Sequence, residues 1–459
     1  MHGGDEGCEV NHMLKSFTLK NFKSFKEATL LLTPTVTFLI GANGSGKSNA
    51  LDALRLLNWL GKGNTLEEFE KKSNSENSIV RCPSNELCQY DKTTFELDCV
   101  LGREEEFDYS FSIQLALSED KIENQQLLYH QEVLKNSKNE QYYIADRVKL
   151  KSQMGNFVRG KSDSNAKAVF HELEALSSLL LSINDMEKKN EDKIKNIQKS
   201  TGEICKQFSS ISFLEPTPQN MRGYRQQIKG MSLSETGDNL SVVLEELCRD
   251  DKVKKDILNI IQSLPEQEIL DISFSRTDEN FLMLKLEESF CNKQYKTSAY
   301  SLSDGTLRAL AIATALYSVP EESLLVIEEV DNGIHPSRIQ HLVDKMYEIA
   351  AERKIQILVT THDPAMMNAI PQQEIGNVLC CYRDKEDGSS KTVRLSDSPQ
   401  YMDILFNGRL GNQVVSPKFE ENIKKTSEER KKEHEAWVKQ YEKEQDEYDK
   451  ALKKALGEK

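Results

Sequence analysis

Apolar and polar positions alternate along "MLKSFTLKNFKSF" (residues 13–25), the period-two pattern of a strand with one buried face. A β-rich run, "TPTVTFLI" (33–40), then meets a glycine-rich turn and "NALDALRLLNWL" (49–60), where apolar residues return at helical spacing. Between 61 and 160 the short alternating runs "TTFELDCVL", "DYSFSIQLAL" and "QYYIADRV" predict an antiparallel β lobe. A helical insertion is expected over 161–230, with "ALSSLLLSI" as a packed face and "EKKNEDKIKNIQK" as a solvated one, closed by the proline-bounded break "FLEPTPQNMRGY". "GDNLSVVLEEL" predicts a helix, and "ILDISFSRTDENFLMLKLEES" a hairpin turning at "TDEN".

After "SLSDG" come a helix, the buried run "LLVIE", a second helix ("SRIQHLVDKMYEIAAERK") and the buried run "IQILVTTHD". Strands alternating with helices predict an α/β fold with a mostly parallel sheet, its core divided between 13–60 and 231–415. Residues 1–12 and 416–459 are expected to be a disordered extension and a charged tail, helical or disordered.

Composition narrows the class. The 459 residues carry a net charge of −14, with pI near 5.3, which argues against a passive nucleic-acid coat. Nine cysteines, none spaced C-x-x-C, fit reduced thiols rather than a disulfide frame or a zinc site. The longest apolar stretch, "LLLTPTVTFLI", is too short and polar to span a bilayer. The expectation is a soluble cytoplasmic protein with no membrane partner.

"GANGSGKS" fits G-x-x-x-x-G-K-[ST] with a strand before and a helix after. Gly41, Gly44 and Gly46 let the backbone curl so that N–H groups face phosphate oxygens. Lys47 supplies a charge to the β- and γ-phosphates, and Ser48 offers a hydroxyl to Mg²⁺. Asn43, Ser45 and Asn49 complete the expected nucleotide-binding set. Such a loop needs a carboxylate at a neighbouring strand end, and "LLVIEE" supplies two. Adjacent strand residues face opposite ways, so the expected division is Glu328 on the metal and Glu329 polarising the attacking water. Ser303 or Asp304, before an apolar-periodic helix, would also serve simply as its N-cap. His362 ends the second buried run.

As an ordered set, "LKNFKSF", "GANGSGKSN", "SLSDGT", "LLVIEEVDNGIHP" and "TTHD" resemble the ABC-type ATPase heads of the RecF/SMC/OLD class. The resemblance implies a P-loop ABC-ATPase head that pairs head to tail as a homodimer, with higher oligomers open, and sandwiches two ATP molecules. It implies that Ser303, Asp304 and Gly305 of one copy cap the γ-phosphate held by Gly41–Ser48 of the other. It further implies Glu329 as general base, His362 as the switch residue and Asp331 as an interface residue. Asp304 stands where many members have glycine, and Glu328 replaces a commoner aspartate.

"IEEVDNGIHP", "FLEPTPQNMRGY" and "GDNLSVVLEEL" are most similar to stand-alone RecF-like ATPases of the AAA family from bacterial anti-phage systems such as Septu, PARIS and retron-linked operons. That likeness implies a sensor and scaffold that hydrolyses ATP slowly or conditionally and holds a separate effector, commonly a nuclease. The alternative is a DNA-repair or chromosome-maintenance ATPase whose ATP-bound dimer clamps DNA.

Overall fold

The computed structural model describes residues 13–73, 78–103, 106–118, 126–138, 141–146, 158–159, 192–228, 230–262, 268–290, 293–398, 401, 404–405, 408–416, 419, 423 and 429. The expected N-terminal extension, the "ALSSLLLSI" face and nearly all of the charged tail lie outside them. One sheet of 13 strands dominates, in the order β8-β7-β6-β5-β4-β1-β2-β17-β16-β3-β15-β14-β9. Its members are β1 (Met13–Phe22), β2 (Phe25–Leu31), β3 (Val36–Ile40), β4 (Thr94–Arg103), β5 (Glu106–Leu117), β6 (Leu127–Asn136), β7 (Gln141–Asp146), β8 (Val158–Arg159) and β9 (Ser212–Leu214), followed, after β10 to β13 below, by β14 (Leu324–Ile327), β15 (Gln356–Thr361), β16 (Leu379–Arg383) and β17 (Ser390–Arg394). A second sheet holds β10 (Arg225–Gln226), β11 (Glu268–Arg276), β12 (Phe281–Phe290) and β13 (Lys293–Ser298).

The half of the large sheet that carries the motifs is parallel: β9, β14, β15, β3 and β16 run in one direction. Every residue of β3, β14 and β15 is buried, as strands covered on both faces require, and this explains their consecutive apolar residues Phe38–Ile40, Leu324–Ile327 and Ile357–Val359. The other half is an antiparallel wing. Its strands β4 to β8 do not form a separate sheet, because β4 pairs along β1 and so covers an otherwise open strand edge. The "TDEN" hairpin is present between β11 and β12, with Asn280 left-handed at its turn.

Two apolar clusters lie on opposite faces of the parallel half. Leu39, Val326 and Leu358 face one, together with the P-loop helix (Lys47–Gly61) and the end of the helix Asp192–Ser209. Phe38, Ile40, Leu325, Ile327 and Val359 face the other, with the helices Asp304–Ser318 and Pro336–Arg353. This alternation is the two-residue period of the strands made three-dimensional. Asp192–Ser209 is the long described helix of the expected helical insertion, whose other described residues include the strands β9 and β10. It docks through Asn58, whose amide donates to the carbonyls of Phe208, Ser209 and Ile211 at 2.9, 3.1 and 2.9 Å, satisfying acceptors that the helix end leaves open. Among the described residues no helix is long and apolar enough to cross a membrane.

Candidate functional site

The loop from Gly41 to Gly46 leaves the C-terminal end of β3 and enters the P-loop helix. Gly41 and Gly46 are obligatory on contact grounds. A Cβ on Gly41 would lie 2.2 Å from the Cys381 carbonyl oxygen, and one on Gly46 2.3 Å from Ser390 Oγ. Gly46 has φ +118°, a conformation L side chains rarely adopt. Lys47 curls over the loop, its ammonium donating to the carbonyls of Gly41 (2.6 Å) and Ala42 (3.1 Å). Burial holds that ammonium below the ordinary lysine value, while the nearby Glu329 and Asp331 carboxylates pull it the other way. Ser48 lies half-buried in the first turn of the helix. Asn49, expected among the nucleotide contacts, turns its amide to Ser24 Oγ instead (2.7 Å).

One strand, β15, separates β3 from β14, so the ends of all three converge on one rim. The two adjacent glutamates part company there. Glu328 is 4% exposed and continues the pairing of β14, its N–H donating to Leu214 O. Its Oε1 accepts from Arg55 at 2.6 Å and its Oε2 from Arg81 at 2.5 Å. Arg55 also pairs with Glu235, and Arg81 with Glu215 at 3.2 Å. Glu329 leaves the strand, is exposed, and sits at φ +47°, a left-handed conformation costing a non-glycine residue roughly 1–2 kcal/mol. Thr360 Oγ1 on β15 holds its N–H at 3.1 Å, and the Asn332 amide donates to its carboxylate at 3.1 Å. Asp331 is buried, with Oδ1 lacking a hydrogen bond and Oδ2 3.9 Å from His362 Nδ1.

Lys47, Glu329, Asp331 and His362 therefore gather at the rim beside the glycine loop. The "SLSDG" motif is placed differently. Ser303 caps its helix, accepting from Thr306 N–H at 3.1 Å. Asp304 is exposed and paired with Arg222 at 2.9 Å. Gly305 backs onto the turn after β14, where a Cβ would lie 2.4 Å from Gly333 O. The helix they open packs in the cluster on the opposite face of the sheet from the P-loop helix.

The family profile described as "AAA domain, putative AbiEii toxin, Type IV TA system" matches residues 36–368. The chain belongs to this family. It has a mixed α/β P-loop fold, in which the motif-bearing part of the large sheet is parallel and the remainder forms an antiparallel wing. It is similar to the ATP/GTP phosphatase of Helicobacter pylori, 21% identical over 387 residues that cover 78% of this chain and 88% of that one. It is also similar to the chromosome partition protein Smc of Mycolicibacterium paratuberculosis, 60% identical over 42 residues, 9% of this chain and 4% of the Smc chain. The chain thus spans only a small part of that relative's length. Among solved structures, the Smc head domain with an extended coiled coil bound to the C-terminal domain of ScpA, from Pyrococcus furiosus, aligns with a TM-score of 0.44 at 13% identity, covering 86% of this chain and 99% of that one.

The donor set suits a hard cation with a nucleotide: the Ser48 hydroxyl, carboxylates, and an orphaned buried oxygen on Asp331. Several residues at the site went unread in the sequence. Thr360 fixes the backbone of Glu329, while Arg55, Arg81, Glu215 and Glu235 enclose Glu328. Only one local cue existed: Arg55 lies on the solvated side of an otherwise apolar helical pattern, yet is 8% exposed.

Proposed function

We propose that this chain binds and hydrolyses ATP in composite sites between two copies arranged head to tail, as the sensor and scaffold subunit of a bacterial anti-phage complex holding a separate effector nuclease. One observation carries the composite site. The glycine loop with Lys47 and the Ser303 cap belong to helices on opposite faces of one sheet, an arrangement that supports the loop of one copy meeting the cap of another over one nucleotide. In this reading Gly41–Ser48 cradle the phosphates, Lys47 leaves the loop carbonyls for the β- and γ-phosphates, and Ser303–Gly305 of the second copy close over the γ-phosphate. Glu329, exposed and backbone-locked by Thr360, accepts the proton of the attacking water. His362 reads the γ-phosphate and is oriented by Asp331, which sits at the interface.

Ser48 and Glu328 are the residues that would hold Mg²⁺, and Glu328 would give up an arginine contact to do so. The ion would neutralise charge on the β- and γ-phosphate oxygens. A γ-phosphate bridging two surfaces stabilises the closed pair only while it is present, which makes hydrolysis a timer. The defence role rests on the resemblance of the motifs, and the words "putative AbiEii toxin, Type IV TA system" in the family's description accord with it.

Glu329→Gln, purified together with the products of neighbouring genes, is expected to double in mass by light scattering when ATP–Mg²⁺ is added, with a nuclease retained in a nucleotide-dependent way. A chain that elutes alone and closes on DNA with ATP would overturn the scaffold reading.

A further inference from the structure

The hairpin β16–β17 has no assigned task, yet the carbonyls of Gly44 and Ser45 in the phosphate loop are both tied to it. Arg383 Nε donates to Gly44 O at 2.9 Å, Cys381 Sγ to Ser45 O at 3.3 Å, and Ser390 Oγ to Ser45 O at 2.6 Å. Ser390 Oγ also lies 2.8 Å from Ser24 Oγ, which in turn receives the Asn49 amide at 2.7 Å. A serine hydroxyl has one proton, and a carbonyl only accepts. The one proton of Ser390 is therefore shared between Ser45 O, the nearer acceptor, and Ser24 Oγ. Ser24 Oγ thus accepts from Asn49 and Ser390, and this relay of contacts links the start of the P-loop helix to Ser45 O through Ser24 and Ser390.

The hairpin's position gives this relay its meaning. In the sheet order it stands between β2 and β3, so it joins the antiparallel wing to the parallel half. Ser390 is the residue of β17 that pairs with β2, opposite Phe25, and its N–H donates to Ser24 O at 2.7 Å. It is fully buried. The two loop glycines that tolerate no Cβ are those facing this hairpin, at Cys381 O and at Ser390 Oγ. Pulling the Ser45 carbonyl toward the sheet turns the following Gly46 N–H away from it, toward the space a phosphate would take, while the Ser45 N–H closes the loop on Ala42 O at 3.2 Å.

We infer that Ser390, with Ser24 and Arg383, is a positioning element for nucleotide binding that pre-sets the phosphate loop from the joint between the two halves of the sheet. This rests on the ATP-binding reading above. Because the relay acts behind the loop, it holds the loop alike in the ground state and the transition state. Its loss is therefore read in KM and not in kcat.

The test uses the full chain with Ser390→Ala and, separately, Arg383→Ala. A fluorescent ATP analogue gives Kd, phosphate release gives KM and kcat, and thermal melting reports the fold. Ser390→Ala is expected to raise Kd and KM about five- to tenfold, the effect of one hydrogen bond to a fixed acceptor, with kcat within about twofold. Arg383→Ala is expected to move the same quantities in the same direction by a smaller factor, because its guanidinium is exposed. Unchanged Kd and KM in both variants would overturn the inference. So would a matching fall in kcat and melting temperature without a change in Kd, which marks a merely structural role. A wild-type chain that binds no analogue overturns the ATP-site reading itself, a result distinct from either.

Discussion

Glu329→Gln is expected to keep the fold and ATP binding while lowering turnover about 10²- to 10⁴-fold, the range for removing a positioned general base. The side chain is exposed, so the neutral isostere leaves no buried charge behind. The backbone around it is held independently, by Thr360 Oγ1 on its N–H and by the Asn332 N–H on its carbonyl (3.0 Å). The strained φ of +47° is thus retained in the variant, and the loss falls on chemistry alone. Single-turnover phosphate release, with thermal melting as control, checks this. Turnover within tenfold of wild type would remove Glu329 from the base role.

The neighbouring residue should behave in the opposite way. Glu328→Ala is expected to destabilise the chain by about 3–4 kcal/mol, because it strips two charge-assisted hydrogen bonds from a largely buried network. The Arg55 side chain is 9% exposed, and its NH2 group would lose its partner while NH1 keeps Glu235. Arg81, 42% exposed, recovers part of its loss in water and contributes less. Glu328→Gln, which retains one acceptor, should cost roughly half as much. Urea unfolding followed by circular dichroism measures both. A loss below about 1 kcal/mol with abolished turnover would mean that the carboxylate serves the metal and not the network.

The contrast between two adjacent glutamates shows what the sequence made legible. The apolar runs of β3, β14 and β15, the glycine spacing and the parity of a strand were local signals, and they placed the loop, both carboxylates and the "TDEN" turn. The network around Glu328 was not legible, because its partners Arg55 and Arg81, and the Glu235 and Glu215 that pair with them, are distant from it in the chain and meet only in three dimensions. β13, "KQYKTS", has no apolar face and is a strand because it pairs with β12. The β16–β17 hairpin was missed for a related reason: it is short, and its serine and arginine matter through atoms more than 300 residues away in the chain. The runs of β4, β5 and β7 read as strands, whereas β6 and β8 went unread, and nothing local revealed that β4 would join β1 and make a single sheet.

The composite site is the central claim, and mixing two inactive chains tests it most directly. Lys47→Ala removes the phosphate charge but leaves the Ser303 cap, whereas Ser303→Arg blocks the cap but leaves the loop. Each chain alone should hydrolyse no ATP. A mixture should regain turnover, up to about a quarter of wild type at equal proportions, since half of the random pairs are mixed and each holds one intact site. Recovery in the mixture is the result predicted here. Two chains that stay inactive together while each still forms dimers with ATP, or a Ser303→Arg chain active by itself, would contradict it.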